Sequence, residues 1–141
     1  MSTANGGADT RVVGVIGLGA IGQALCSSFL DAGYIVHAFD IAEPARMAAA
    51  AMGVNLRVSS GDVAHNANTI ITVLPFASDV EEALFGPEGV AHGAHEQTVV
   101  IESSTIDLAS FRRITSRMQS AGLTVIDAGI FAAPPSAKEG R

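Results

Sequence analysis

Val12-Val13-Gly14-Val15-Ile16-Gly17-Leu18-Gly19-Ala20-Ile21-Gly22 decides how the rest of the chain is read. A β-branched apolar run leads into Gly17-x-Gly19-x-x-Gly22, and a helix-forming segment follows at once. A strand, this glycine spacing and a helix, in that order, form the fingerprint of a loop that holds the pyrophosphate of a dinucleotide. Gly17 lets the chain turn sharply off the strand, Gly19 lets backbone approach the phosphates, and Gly22 lets helix and strand pack closely. The helix beginning near Ala20 would aim its unpaired N–H groups and positive dipole end at the anion. A second apolar run, Tyr34-Ile35-Val36-His37-Ala38-Phe39, ends in Asp40, 18 residues beyond Gly22. A carboxylate there can accept hydrogen bonds from the adenosine ribose and repels a 2′-phosphate, so NAD is the expected cofactor, with NADP left open.

Composition agrees with one compact domain. The chain has 141 residues, 48% of them hydrophobic and 16% charged, which excludes an intrinsically disordered protein. With six Phe, one Tyr and no Trp, the core must be built from Ala, Val, Ile and Leu, as buried parallel strands usually are. A net charge of −6 argues against nucleic acid and anionic membranes as partners, since both need a basic face. No apolar run approaches the roughly 18 residues of a membrane span. Residues 1–10 lack the pattern of a signal peptide and read as a mobile tail, so a cytoplasmic location is expected. The single cysteine, Cys26, reads as a small buried hydrophobe within the first helix.

Apolar periodicity and punctuation place the elements in order. Strands are expected at Arg11 to Ile16, Tyr34 to Phe39, Val54 to Val58, Thr69 to Leu74, Thr98 to Ile101 and Leu123 to Ile126. Helices are expected from Ala20 to Ala32, from Pro44 to Met52, briefly after Ser59 to near Asn66, from Ser78 to Phe85, and from Asp107 to Ala121. Gly33, Gly53 and Gly122 read as helix stops, and Gly86 to Gly93 as a glycine-rich loop. Strands alternating with helices imply α/β architecture: a Rossmann-type, doubly wound, six-stranded parallel sheet with helices on both faces. The Rossmann domain is expected over residues 11–128. The Pro- and Ala-rich stretch 129–141 reads as a linker or loop.

In such a sheet, ligands bind outside the carboxyl ends of the strands, where the strand order reverses. Besides the glycine loop and Asp40, that places Leu74-Pro75-Phe76-Ala77, Ser103-Ser104-Thr105 and Asp127 near the ligand. The Ser103-Ser104-Thr105 hydroxyls are read as free to donate, although Thr105 could equally cap the following helix. His37 reads as packed or solvated, His65 as ending a short helix, and His92 and His95 as solvent-facing loop residues. No third ligand stands at metal spacing, so no metal is expected.

Four motifs, in order, resemble the β-hydroxyacid dehydrogenases, the group that includes 3-hydroxyisobutyrate dehydrogenase and 6-phosphogluconate dehydrogenase. Gly17-Leu18-Gly19-Ala20-Ile21-Gly22 is similar to the family's phosphate loop. Thr72-Val73-Leu74-Pro75 with Asp79-Val80-Glu81-Glu82-Ala83-Leu84 is similar to its loop and helix after the fourth strand. Ile101-Glu102-Ser103-Ser104-Thr105 resembles its acidic-x-Ser-Thr turn, and Ile126-Asp127-Ala128 the start of its substrate signature. The resemblance implies cofactor contacts at Gly17, Leu18, Gly19, Ala20, Ile21, Gly22, Asp40, Leu74, Pro75 and Thr105. It also implies hydride transfer between a hydroxyacid and the nicotinamide, with a lysine handling the hydroxyl proton.

Two departures limit the carry-over. Where the family continues with a substrate-binding serine and glycines, this chain has Gly129-Ile130-Phe131-Ala132-Ala133, with Phe131 in the serine's place. Pro134-Pro135 resembles a branch of 6-phosphogluconate-dehydrogenase-like proteins. The family's catalytic lysine belongs to a helical domain that would follow this region, and the only lysine here is Lys138. The chain is therefore expected to bind dinucleotide without turning over hydroxyacid alone, and no catalytic residue is assigned. A non-catalytic dinucleotide-binding module, or a piece of an imine-reductase-like enzyme, are the other readings.

Overall fold

The computed structural model describes residues 11–129. The expected tail at 1–10 and residues 130–141 of the expected linker, with Phe131, Pro134-Pro135 and Lys138, lie outside the described residues. In chain order the elements are β1 (Val12–Ile16), α1 (Ala20–Asp31), β2 (Ile35–Phe39), α2 (Glu43–Ala51), β3 (Asn55–Leu56) and α3 (Ser60–Asn66). There follow β4 (Thr69–Thr72), α4 (Ala77–Phe85), α5 (Val90–Gly93), β5 (Val99–Glu102), α6 (Leu108–Ser120) and β6 (Thr124–Asp127).

All six strands pair in parallel, in the order β3-β2-β1-β4-β5-β6. This is the doubly wound arrangement that the alternation of strands and helices implied. Order reverses between β1 and β4, so the crevice opens where the glycine loop leaves the sheet.

Period-2 alternation along β1 splits the core into two layers. Val13 and Val15 face a cluster with Leu18, Cys26, Val36, Ala38 and Ala49, under α1 and α2. Ile16 faces the other cluster, with Val63, Val80, Leu84, Ile114 and Met118, under α3, α4 and α6. Both faces of the sheet are thus covered by aliphatic side chains, as the scarcity of aromatics required. Burial pushes the Cys26 thiol up to about 12, so it is a packed hydrophobe with no thiolate chemistry at neutral pH.

Three boundaries differ from expectation. Val90–Gly93 forms a short helix within the stretch read as a glycine-rich loop. It is held by packing on α3, where Gly93 lies so close to the Gly61 carbonyl that a Cβ would stand 1.9 Å from it. β3 is two residues long, because it is an edge strand paired only with β2. β4 ends at Thr72, two residues before Leu74, because the Leu74 N–H is taken by the Ser104 hydroxyl at 2.8 Å and Pro75 has none to offer. Ser59 caps α3 as expected, its hydroxyl accepting from Asp62 N–H at 3.0 Å.

The burial pattern predicts where the fold is fragile. Ile114→Ala, at a fully buried site, should cost about 2–5 kcal/mol in urea unfolding. Leu108→Ala on the same helix is 62% exposed and should stay within about 0.5 kcal/mol of the parent. Equal losses at both positions would contradict the burial of Ile114 and the exposure of Leu108.

Candidate functional site

Each of the three glycines has a separate steric reason for its place. Gly17 has φ +101°, and a Cβ there would stand 2.0 Å from the Val73 carbonyl oxygen. Only glycine fits that turn, which is pinned by the Gly17 N–H donating to the Phe39 carbonyl at 3.0 Å. A Cβ on Gly22 would stand 1.9 Å from the Gly17 carbonyl oxygen, so the first turn of α1 rides directly on the loop. Gly19 is the opposite case. A Cβ there would meet no protein atom within 4 Å and would project into open space beside the helix terminus. The loop is closed to side chains on its protein side and open on its ligand side.

The terminus of α1 suits an anion. Gly19 is its N-cap residue, with no side-chain cap and no acidic residue in the first turn. The first intrahelical bond is Gln23 N–H to the Gly19 carbonyl, at 2.9 Å. The preceding N–H groups of the helix are therefore free for a ligand.

Asp40 directly follows β2 at the rim. Its Oδ2 accepts from Leu18 N–H at 2.7 Å and its Oδ1 from Ala42 N–H at 2.8 Å. The two backbone donors fix the carboxylate between the glycine loop and the turn after β2. An ionised carboxyl offers about four acceptor sites, so two remain for ribose hydroxyls. Arg46 donates to the Asp40 backbone carbonyl at 2.7 Å and leaves the carboxylate unpaired with a cation.

These groups line one cleft of about 920 Å³ at the carboxyl ends of the strands. It is large enough for a ligand of cofactor size. Of the residues read as cofactor contacts, Gly17, Gly19, Ala20, Ile21, Gly22, Asp40, Leu74, Pro75 and Thr105 line it. Leu18 stands behind the loop, its side chain fully buried under α1 and its N–H already committed to Asp40. Asp79, Glu82 and Glu88 join Asp40 in the lining, to which the described residues contribute no Lys, Arg or His. A second hollow of about 730 Å³ lies at the amino ends of the strands, among His65, Asn66, His95 and Glu96, away from the glycine loop. Among the described residues no group of three His, Cys, Asp or Glu could hold a metal ion. Nor is any described helix long and apolar enough to cross a membrane.

The Ser103–Thr105 turn differs from expectation in its chemistry. The Ser104 hydroxyl is not free: it accepts from Leu74 N–H and lies 3.4 Å from the Thr72 carbonyl oxygen. Nor does Thr105 cap α6. That role falls to Asp107, whose carboxylate accepts from Ser110 N–H and Ser110 Oγ–H at 2.8 and 2.6 Å. Those bonds hold the Asp107 carboxyl below its ordinary pKa.

Glu102, which the sequence marks only as the acid of the acidic-x-Ser-Thr turn, takes a place that no spacing foretold. It is 0% exposed, accepting from Thr72 Oγ–H at 2.5 Å and from Ser104 N–H at 2.7 Å. Burial raises its pKa; the two hydrogen bonds oppose that shift and Asp127, in register on β6, adds to it. An acid closing an apolar strand was the available signal.

The geometry agrees with comparison to known proteins. Residues 12–141 match the family model described as the NAD binding domain of 6-phosphogluconate dehydrogenase. Mitochondrial 3-hydroxyisobutyrate dehydrogenase of Drosophila melanogaster is 31% identical over 139 residues, covering 99% of this chain and 41% of that protein. NAD-dependent L-serine dehydrogenase of Pseudomonas aeruginosa is 30% identical over 120 residues, covering 85% of this chain and 40% of that protein. The solved structure of Mycobacterium tuberculosis 3-hydroxyisobutyrate dehydrogenase with L-serine superposes with a TM-score of 0.84 at 28% identity, over 92% of this chain and 44% of that one. The chain thus spans about two-fifths of the length of the curated relatives it matches.

The glycines predict opposite outcomes. Gly22→Ala should lose about 1–3 kcal/mol of stability through overpacking. Gly19→Ala should unfold at or above the parental temperature, yet lose dinucleotide affinity by about tenfold or more, because its methyl enters the space a phosphate needs. Thermal melts and calorimetric titration of the two variants separate these effects.

Glu102 predicts a pH trend. Its folded-state pKa lies above the unfolded value, so its favourable contribution is present below the unfolded pKa and is lost as pH rises through the folded one. Urea unfolding across that window should show parental stability falling relative to Glu102→Gln as pH increases. A flat difference would contradict the burial argument.

Proposed function

Because the chain belongs to the family defined by the NAD binding domain of 6-phosphogluconate dehydrogenase, we propose that it is the cofactor-holding part of an oxidoreductase acting on a small hydroxyacid, and that it prefers NAD to NADP. The observation that carries the preference is Asp40. Two backbone N–H groups hold its carboxylate at the cleft rim, and no cation of the lining balances it. A ribose diol can donate into its remaining acceptor sites, whereas a 2′-phosphate would meet a fixed negative charge.

The residues present fit the cofactor. The open side of Gly19 and the uncapped start of α1 would hold the pyrophosphate, and Asp40 the adenosine ribose. Leu74, Pro75 and Thr105 would line the nicotinamide half. When bound, NAD supplies a hydride acceptor. The other requirement of the reaction is a group within hydrogen-bond reach of the substrate hydroxyl to take its proton. The wall formed by Leu74, Pro75 and Ser103–Thr105 offers no histidine, lysine or carboxylate. The cleft's carboxylates, Asp40, Asp79, Glu82 and Glu88, stand elsewhere on its lining; on this reading the proton acceptor comes from outside residues 11–129, and these residues alone bind cofactor without turning over hydroxyacid. The names of the relatives, hydroxyacid and serine dehydrogenases, support the substrate class.

Calorimetric titration of the 141-residue chain with NAD and NADP tests the preference. NAD should bind at least about tenfold more tightly, a difference of roughly 1.4 kcal/mol, and Asp40→Asn should narrow the gap. Equal or tighter NADP binding would overturn the preference, and binding of neither would overturn the cofactor reading. NADH production from hydroxyacids by the purified chain would show that its own residues complete the chemistry.

A further inference from the structure

The buried carboxyl group of Glu102 touches neither solvent nor the cleft, yet both of its hydrogen bonds lead to the cleft wall. β5 needs no acid for its strand geometry: Val99, Val100 and Ile101 form the rest of it, and desolvating a carboxylate costs several kcal/mol unless its acceptor sites are filled. Here they are filled by two donors from different segments. Thr72 Oγ–H comes from the last residue of β4, and Ser104 N–H from the turn after β5.

The connection continues outward. Ser104, held through its N–H, presents its hydroxyl to Leu74 N–H at 2.8 Å. That N–H is the first after the sheet ladder ends with Val73 N–H donating to the Ile16 carbonyl. Pro75 has no N–H with which to hold the turn itself. The Glu102 backbone also ties in the neighbouring strand, its carbonyl accepting from Ala128 N–H at 2.9 Å. Leu74, Pro75 and Ser103–Thr105 line the cleft, whereas Thr72 and Glu102 do not.

We propose that Glu102 is the positioning residue for the β4–β5 wall of the cleft: through Thr72 and Ser104 it holds the Leu74–Pro75 turn and the Ser103–Thr105 turn in one fixed relation. It acts on the ligand only through those segments. This rests on the reading that the cleft binds NAD. The glycine loop and Asp40 hold the adenosine and pyrophosphate from the β1–β2 side, so Glu102 governs the other half of the dinucleotide alone. It therefore affects recognition of nicotinamide and its ribose and leaves recognition of ADP intact.

The test compares NAD with ADP, which lacks the nicotinamide and its ribose, by calorimetry on the 141-residue chain and its Glu102→Gln, Glu102→Ala and Ser104→Ala variants. Glu102→Ala and Ser104→Ala should weaken NAD by about tenfold, the scale expected when a buried hydrogen-bond partner is lost. ADP should stay within about twofold of the parent. Glu102→Gln, which keeps one acceptor oxygen, should fall between. If Glu102→Ala does not fold, the other two variants carry the test.

Parallel loss of NAD and ADP would show a merely structural role, and unchanged NAD affinity would show none; either overturns the proposal. A parental chain that binds ADP as tightly as NAD overturns it as well, since the β4–β5 wall would then hold nothing. Binding of neither ligand by the parent would instead overturn the cofactor reading on which the proposal rests.

Discussion

The contact between Gly17 and Gly22 is the constraint on which the site depends. A strand running into a helix must reverse the hydrogen-bonding direction of its backbone within a few residues. Here that happens with the Gly22 Cα pressed on the Gly17 carbonyl and Gly17 pressed on Val73. Any side chain at either position would lever α1 away from β1 or β1 away from β4. Because β1 and β4 flank the reversal of strand order, the turn that brings the helix terminus to the sheet edge also brings it beside the Leu74–Pro75 turn. Sheet closure and ligand geometry are one packing problem.

Asp40 extends that constraint across the first half of the sheet. Its carboxylate bonds the backbone of the glycine loop through Leu18 and that of its own turn through Ala42. The group proposed to recognise the ribose is thereby also a brace, with half of its acceptor sites used on the protein and half left open. Glu102 repeats the design on the second half, with the difference that all its bonds point inward. One acid stands on the cleft surface and one is sealed beneath it.

Most of this architecture was legible in the sequence, and the reason is locality. The glycine spacing, the apolar runs and the helix stops at Gly33, Gly53 and Gly122 are written within a few residues of where they act. All three stops show positive φ. Asp40 was legible because its distance from the loop is set by one helix and one strand. What escaped depended on contacts distant in sequence. The helix Val90–Gly93 has too few residues to carry a period, and it exists because Gly93 can press on Gly61. The end of β4 is decided by a hydroxyl 30 residues away, on Ser104. Glu102 read as one acid in a family-like turn, and only the third dimension shows it buried between two strands.

The cleft's charge sharpens what kind of ligand it can hold. Among the described residues, four carboxylates, Asp40, Asp79, Glu82 and Glu88, line it, and no lysine or arginine does. The ligand that the glycine loop is shaped for is itself an anion. Its attraction must come from backbone: the free N–H groups and dipole of α1, a partial charge of roughly half a unit. Such donors act over about one helical turn and require the phosphate to sit close against them, which is why the open side of Gly19 matters more here than in a cleft assisted by lysines. Recognition then rests on shape and on short hydrogen bonds, while the carboxylates penalise each further negative charge the ligand carries. On the reading proposed above, that penalty adds to the one set by Asp40 in favouring the less anionic of two nearly identical dinucleotides.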